Sequence, residues 1–468
     1  MFLHLLLIIL LGLLSSTNAS PLPPVWTPPI DDPEALYNVL APSWVKEPLT
    51  RGTFSIIFPC LATLGLCVYT GIHLNIPAHH DSQVKVAFRK LKWSIIALFA
   101  PEMVLYCAWQ QWFQAKALRD RMNAALDAKA EVERRPVDEK YSYDISTAFW
   151  VVMGGFVVRC SEEVGLGPGT KGVRVGEGGE STRVLTPAMV VALAEDPLAV
   201  GMTSFLKIEP LQREDKNKAD ALAKLLVVGQ VLARVIANYP VSLLEIHTFV
   251  HVICGLIMYY LWFNKLQGVG LAVSVELNPR QISILTSLPY WNRSSHLTRI
   301  PNIQNRIDSG NGLIRLSRKP VDDRLYLALV CAMYGGVHLT AWYSYFPTLL
   351  EEWLWRASCF TMLIGALSAP SLVLMCEFMA DWKQAFPQNW FWTGITKFCF
   401  TIPWKGRNDE VSLAGTALCV YRVLALVWFL PYLVARMYLV AEPFASLREM
   451  PAGVYAVVSW SLNVPHII

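Results

Sequence analysis

The sequence predicts an all-α protein, a polytopic membrane helical bundle of about six transmembrane helices. Of its 468 residues, 54% are hydrophobic and only 16% are charged, whereas soluble domains are about 45–50% apolar and about 25% charged. The apolar residues are also gathered into long blocks, which the core of a soluble domain does not require. Tryptophan and tyrosine crowd the ends of these blocks, as is typical of side chains at headgroup depth.

Residues 1–19 are predicted to be a signal peptide for the secretory pathway. The apolar run from Leu3 to Leu14 is too short to cross a hydrocarbon core of about 30 Å and has the length of a signal-peptide core. Polar residues follow the run, with Ala19 at a position suited to cleavage. An uncleaved anchor stays open as the alternative, because few positive groups precede the run. Residues 20–52 are rich in proline and are predicted to form an extended exterior segment.

Long stretches with little charge mark the predicted spans. Residues 53–112 hold the first two, and the second of these is interrupted by Pro101 and Glu102. The remaining predicted spans are the third at 241–263, the fourth and fifth within 325–376, and the sixth at 413–441.

Residues 113–240, between the second and third spans, are predicted to be a helical exterior or lumenal region. Glycines crowd the segment 161–183, which we expect to be a flexible loop. This segment lacks the glycine spacing and the Ser or Thr of a phosphate-binding loop. The apolar segment 147–158 is too short to span, and we expect it to lie in a core or an interface.

Residues 220–239 have the pattern of an amphipathic helix. On a helical wheel, Arg234 and Asn238 share the polar sector, while Leu232 and Ile236 lie on the opposite side. The pattern predicts a helix that lies on the membrane surface or packs on the spans.

Basic residues sort the connecting loops, because Lys and Arg are retained on the cytoplasmic side of a membrane. Loop 264–324 carries nine Lys and Arg against four Asp and Glu, and both it and loop 377–412 are predicted to be cytoplasmic. The mature N-terminus, residues 113–240 and the tail 442–468 are predicted to be exterior or lumenal. The chain is therefore predicted to be an integral membrane protein of the secretory pathway, between endoplasmic reticulum and plasma membrane. Its predicted partner is the lipid bilayer; a net charge of +4 gives no reason to expect nucleic acid, and protein partners stay open.

Ionisable residues inside the predicted spans are candidate functional residues, because charge is costly in lipid. Glu102 lies in the second span, Glu245 near the outer end of the third, and Arg422 and Arg436 in the sixth. One hypothesis pairs Glu102 or Glu245 with Arg422 across the bundle. Such a pair is either a static interhelical ion pair or part of a relay for protons or substrate.

His251 lies four positions after His247, so the two share one helical face, a geometry that can bind metal. No third ligand is evident in the sequence, and His338 could contribute only if the fold brings it near. Hydrogen bonding between helices is the favoured interpretation of these histidines. The sequence predicts no catalytic residue, no cofactor and no metal site. The glycine pairs at 154–155 and 335–336 are expected to allow close packing.

Several short motifs are spread over most of the mature chain. They are Cys60-Leu61, His73-Leu74-Asn75-Ile76-Pro77, Ala100-Pro101-Glu102, Gln110-Gln111-Trp112, Met153-Gly154-Gly155-Phe156, Asp215-Lys216-Asn217-Lys218-Ala219-Asp220 with Lys224 and Gln230, Glu442-Pro443-Phe444, Ser446-Leu447-Arg448, Trp460 and Pro465-His466. In these motifs the chain resembles a large family of uncharacterised multi-pass membrane proteins of filamentous fungi. That family often has a tryptophan pair and Lys-Pro after its third span, where this chain has Trp262-Phe263-Asn264-Lys265-Leu266. The resemblance implies a multi-pass architecture and a fungal membrane, and it implies no particular activity.

The sequence slightly favours a solute-handling or sensing role over the alternatives. The grounds are the intramembrane charges Glu102 and Arg422 and the sizeable exterior region. A membrane-embedded enzyme acting on lipid is the alternative, and the pair His247 and His251 is the only sequence feature that supports it. A structural or scaffold role for the bundle also stays open.

Overall fold

The structure is a computed structural model, and it describes a large part of the chain. The described residues are 27–29, 34–47, 50–78, 81–132, 143–160, 181–196, 229–266, 272–288, 320–367 and 413–457. The predicted signal peptide, most of the glycine-rich segment 161–183, the loop 377–412 and most of the loop 264–324 lie outside them.

The described chain is predominantly helical. Its helices are α1 (Ala35–Asn38), α2 (Thr53–Thr70), α3 (Gln83–Phe99), α4 (Pro101–Val132), α5 (Ile145–Val152), α6 (Pro187–Glu195), α7 (Leu243–Leu261), α8 (Pro279–Ser287), α9 (Pro320–His338), α10 (Leu349–Leu367) and α11 (Leu413–Ala445). A helical segment at 229–236 precedes α7, and short 3-10 turns follow α9 and α11 at Leu339–Tyr343, Ser446–Arg448 and Ala452–Tyr455.

A small sheet departs from the all-α prediction. Strands β1 (Phe156–Cys160), β2 (Ser181–Val184) and β3 (Val273–Val275) lie in the order β2-β1-β3, with β2 antiparallel and β3 parallel to β1. The all-α prediction was wrong on this point because strand pairing is non-local: β1 and β3 are more than a hundred residues apart in the chain. The expectation that segment 147–158 lies in a core is confirmed, since α5 and β1 are buried there.

Two described helices, α2 and α7, are long and apolar enough to cross a membrane. Helices α3 and α4 together make a third candidate if they form one broken span. The six-span arrangement is therefore not confirmed by the described residues. Part of the reason is charge: α10 carries Glu351, Glu352 and Arg356 within its first two turns, and such groups are costly in hydrocarbon.

The predicted second span is sharply bent. The chain turns by 114° between α3 and α4, where Ala100 leaves the helical conformation at φ −146°. Pro101 then starts α4, because proline cannot donate a hydrogen bond to α3 but fits the first turn of a new helix. The bend carries Glu102, in the first turn of α4, into the protein interior, where it is buried.

Helix α4 is the central element of the core. Its residues from Met103 to Ala108 are all buried, so the N-terminal part of α4 is surrounded by protein on every side, as expected of a core helix. It packs against α3, α5, α6, α7 and α9, while α10 packs on both α9 and α11. Close packing at Gly335 is confirmed, since a Cβ there would lie 3.0 Å from the Cys359 carbonyl oxygen; at Gly336 the space is open.

The turn between α5 and β1 gives a test of this packing. Gly154 has φ 85°, and a Cβ added to Gly155 would overlap the buried Trp150 indole. The Gly155 backbone cannot move away, because its N–H donates to Trp150 O and its carbonyl accepts from Val273 N. We expect Gly155→Ala to destabilise the protein by about 1–3 kcal/mol through overpacking, measured as the unfolding midpoint of the purified protein.

Gly336→Ala is the matched control, because it adds the same methyl group where no atom lies within 4 Å. We expect it to be neutral or to stabilise helix α9 by up to about 1 kcal/mol. Equal effects of the two substitutions would contradict the packing described for Gly155.

Candidate functional site: a buried polar cluster

Glu102 and Arg436 form an ion pair in the middle of the apolar core. Both side chains are at most 1% exposed. The Glu102 carboxylate also accepts a hydrogen bond from the Tyr432 hydroxyl. The carboxylate lies at the N-terminal turn of α4, where the helix dipole favours negative charge. Glu102 is therefore held by partners on α11, across the core from its own helix.

The structure gives both candidate acids partners other than Arg422. Glu102 pairs with Arg436, and Glu245 pairs with Arg51 at 2.6 Å. Glu245 also caps its own helix, since its carboxylate accepts from the Ser242 N–H and hydroxyl. Arg422 lies in α11, and its side chain is outside the described residues. Arg422 and Arg436 are fourteen residues apart, about four helical turns, so they lie on the same face of α11. The sequence therefore indicated which face of α11 meets the acid, but it did not indicate which of the two arginines lies at the level of Glu102.

The Arg436 guanidinium links this ion pair to helix α9. Its central carbon lies 3.5 Å from the centre of the Tyr334 ring, within the range of a cation–π interaction. The Tyr334 ring in turn lies 4.5 Å from the His338 ring, one turn along α9. The charge on α11 thus contacts the histidines through an aromatic side chain.

The fold brings His338 next to His247, as the metal-site hypothesis would have required. His247 Nδ1 and His338 Nε2 are 3.2 Å apart, and the His247 and His251 rings are 4.7 Å apart. Within the described residues, however, no three His, Cys, Asp or Glu side chains are placed to hold a metal ion. The arrangement matches the interhelical hydrogen bonding that the sequence favoured.

Hydrogen bonding fixes the tautomers of neutral His338 and His247. A carbonyl oxygen only accepts, so His338 Nδ1, 2.8 Å from Tyr334 O, must carry the proton. His338 Nε2 is then an acceptor, and His247 Nδ1 must donate to it. It follows that His247 Nε2 carries a lone pair and no proton.

Some polar atoms of this group have no hydrogen-bond partner within the described part of the chain. They are His247 Nε2, His251 Nε2, the Tyr334 hydroxyl and Arg436 Nη1. We call Glu102, His247, His251, Tyr334, His338, Tyr432 and Arg436 the polar cluster. It combines an acceptor at His247 with a donor at Arg436, the two kinds of group to which a small polar molecule forms hydrogen bonds.

A second buried polar site, centred on Lys265, is fully satisfied. The Lys265 ammonium donates to His73 O at 2.6 Å, Asn75 Oδ1 at 3.0 Å and Gln111 Oε1 at 2.6 Å. Burial lowers the pKa of Lys265 well below its ordinary value, while the three acceptors favour its charged form. We call this arrangement the lysine clamp. It joins the end of α7 to α4 and to the loop after α2.

One protein family matches the chain over both sites. A family of unknown function, DUF8562, matches residues 33–288 and 294–467. The chain belongs to the DUF8562 family. No curated protein and no solved structure matches it. The matched ranges contain every residue of the polar cluster and of the lysine clamp in this DUF8562 protein.

Sequence reasoning missed Tyr334, Tyr432 and Lys265 as functional candidates. Tyr334 and His338 repeat the four-residue spacing of His247 and His251, and that repeat was the available signal for Tyr334. Tyr432 lies four residues before Arg436 in the same way. Lys265 follows α7 in what was predicted to be a cytoplasmic loop, where a lysine is unremarkable, so only the fold shows that it is buried.

Removing one charge of the central ion pair tests how it is held. Arg436→Met leaves the Glu102 carboxylate buried without its cation, and we expect a loss of about 3–5 kcal/mol in stability. The double variant Glu102→Leu with Arg436→Met removes both charges, and we expect it to recover most of that loss. Thermal unfolding of the purified variants measures both; a double variant no more stable than the single one would contradict the pairing.

The lysine clamp predicts a separate effect. Lys265→Met removes one buried donor from the side-chain oxygens of Asn75 and Gln111, although Gln111 Oε1 still accepts from Trp262 Nε1 at 3.1 Å. We expect the loss to cost about 1–3 kcal/mol. Lys85→Met, at an exposed position of α3, is the control and should change the unfolding midpoint little. Similar midpoints for the two variants would show that the clamp contributes nothing to stability.

Proposed function

We propose that this DUF8562 protein is an integral membrane protein that handles or senses a small polar solute at the polar cluster. The apolar helices α2 and α7 support a membrane location, as does the resemblance to multi-pass proteins of filamentous fungi. On this proposal the chain enters the secretory pathway behind its signal peptide, with the mature N-terminus outside and the bilayer as its partner. The loops rich in Lys and Arg then face the cytosol.

The unpartnered polar atoms of the cluster carry the proposal. In the described structure, the His247 and His251 Nε2 atoms, the Tyr334 hydroxyl and Arg436 Nη1 are buried without a hydrogen-bond partner. Leaving such a group unsatisfied costs about 1–3 kcal/mol, and lipid supplies no compensation. A bound solute or water molecule with both donors and acceptors would recover this cost. Other buried atoms of the described structure, such as the Tyr326 hydroxyl and Trp150 Nε1, also have no partner. The cluster differs in that four such atoms lie on side chains that contact one another beside an ion pair.

The break between α3 and α4 supports the same conclusion. Membrane proteins that move solutes commonly place the ends of interrupted helices at the binding site, where backbone and dipole can contact the solute. Here the interruption at Ala100 delivers the N-terminus of α4, with Glu102, to the polar cluster. Interrupted helices are tolerated in membranes only where protein or water surrounds them, and the cluster provides such surroundings.

The competing functions each have one observation in their favour. A scaffold is favoured by the Glu102 carboxylate, which is satisfied by Tyr432 and Arg436 and needs no ligand. A lipid-modifying enzyme is favoured by the convergence of His247 and His338. Against the enzyme, the described structure shows no hydrogen bond from these histidines to a carboxylate, and Arg436 and Tyr334 separate them from Glu102.

Complementation of a deletion strain with matched tyrosine variants tests the proposal. Tyr334→Phe removes an unpartnered hydroxyl inside the cluster, and Tyr326→Phe removes an unpartnered hydroxyl of the same helix outside it. Cells lacking the gene, and cells expressing wild type or either variant, are compared by polar-metabolite and lipid profiling at equal protein levels. We expect Tyr334→Phe and His251→Gln to reproduce the changed polar-metabolite profile of the deletion, while Tyr326→Phe restores the normal one.

Other outcomes overturn the proposal in distinguishable ways. A deletion that changes only lipid composition, with the cluster variants sharing the defect, would favour the enzyme. Full complementation by the cluster variants would favour the scaffold. Recovery of the protein in the soluble fraction, without detergent, would remove the membrane location itself.

A further inference from the structure

Three segments of the chain form a single unit beside the start of α7. They are residues 34–47, 229–240 and 450–457, which we call the cap. The Tyr37 hydroxyl donates to Asn238 O at 2.9 Å, and Leu40 pairs with Pro451 in a β-bridge. The segments are thus joined by a side-chain hydrogen bond and a backbone bridge, which hold their exposed faces in position relative to one another.

A buried arginine sets the orientation of the helical segment 229–236. The Arg234 guanidinium is 2% exposed and donates to the carbonyl oxygens of Pro240, Gly453, Val454 and Ala456 at 2.7–3.3 Å. Burial lowers its pKa to about 10, so it remains charged at neutral pH. The polar side of this segment therefore faces the protein, a direction that the helical wheel did not give.

The opposite side of the same segment is apolar and exposed. Ile236 is 81% exposed, Val235 57% and Leu232 48%. The segment cannot turn these side chains inward without withdrawing Arg234 from its carbonyl acceptors. Neighbouring residues of the cap extend the apolar surface: Tyr37, Val39, Leu40 and Trp44 are all exposed. We call these seven residues the apolar patch.

The cap lies where two candidate spans begin. The Thr53 N–H, at the start of α2, donates to Val45 O at 3.0 Å. Arg51, two residues before α2, pairs with Glu245 in the first turn of α7 at 2.6 Å. Ile236 is only seven residues before Leu243, so an extended chain could separate it from α7 by at most about 25 Å.

The exposed apolar surface continues along α2. Phe54 and Phe58, in the first two turns of that helix, are both more than half exposed and stack on each other at 5.5 Å. On a span, this outward face contacts acyl chains. The patch therefore adjoins a lipid-facing surface at the level of the headgroups, where Trp and Tyr are enriched.

We infer that the apolar patch is inserted into the boundary between headgroups and acyl chains, so that the cap lies on the bilayer as an interfacial element. This inference rests on the membrane location in the proposed function. Interfacial helices bury their apolar face about 5–10 Å deep in this boundary. Lys46 and Glu47 at the edge of the patch are exposed and opposite in charge, so insertion depends on apolar area and does not require anionic lipid.

Nitroxide labels at single introduced cysteines test the insertion in phosphatidylcholine vesicles. The label sites are Ile236→Cys in the patch, Phe58→Cys on α2, and Asp120→Cys at an exposed position of α4 as the aqueous control. Oxygen concentrates in lipid and a charged nickel chelate in water, so the ratio of the two accessibilities reports the medium around each label. We expect this ratio to be severalfold higher at 236 and 58 than at 120.

The accessibility ratios at the three label sites distinguish failure of the insertion from failure of the membrane location. A water-like ratio at 236 with a lipid-like ratio at 58 would overturn the insertion and leave the membrane location intact. Water-like ratios at both sites would overturn the membrane location. Spin–spin broadening at 236 would show that a second copy of the chain covers the patch, which also contradicts insertion.

Brominated phosphatidylcholine gives a second measurement that needs no new cysteine. Bromine quenches tryptophan fluorescence at short range. The difference in quenching between the wild-type protein and the Trp44→Phe variant gives the part that comes from Trp44. We expect that contribution to be quenched more by bromine near the headgroup than by bromine near the chain end. Absence of any quenching of Trp44 would contradict its insertion.

Discussion

The position of the first turn of α4 is the constraint on which the rest of the core depends. Pro101 cannot continue α3, so the chain bends by 114° and the apolar half of α4 enters the centre of the protein. Glu102 enters with it, and a buried carboxylate is tolerated only with a cation and hydrogen-bond donors. Arg436 and Tyr432 meet that requirement and thereby fix α11 against α4, with Tyr334 of α9 stacked on the arginine.

Two sets of buried polar side chains in the described structure differ in how their polar atoms are satisfied. Lys265 and Arg234 direct their donors to backbone and amide oxygens, and each joins segments that are distant in the chain. The histidines and Tyr334 instead have polar atoms without partners in the described structure. Satisfied groups explain how the fold is held together, whereas open ones, at the end of an interrupted helix, are where a ligand would gain most.

Individual residues show how far the sequence led to the site. Glu102 and Arg436 were candidates because charge in an apolar stretch is costly wherever it lies, but their pairing depended on how deep α4 and α11 cross. His247 and His251 share a face by helical periodicity alone, while the contact with His338 required the packing of α7 on α9. Nothing in the sequence marked Lys265, because a lysine after a helix is ordinarily solvated; its burial comes from the loop containing His73 and Asn75 and from Gln111 of α4.

The sequence by itself determined the helical character, the apolar stretches of α2 and α7 and the break at Pro101, since these follow from local composition and backbone chemistry. Tertiary structure alone decided the three-stranded sheet, the partners of each buried charge and the outward face of residues 229–236. An amphipathic pattern shows that a helix has a polar and an apolar face, but it does not show which of them is buried. The polar face can be the buried one if its donors find acceptors in the protein. Arg234 found them on a segment more than two hundred residues away, and no local pattern contains that information.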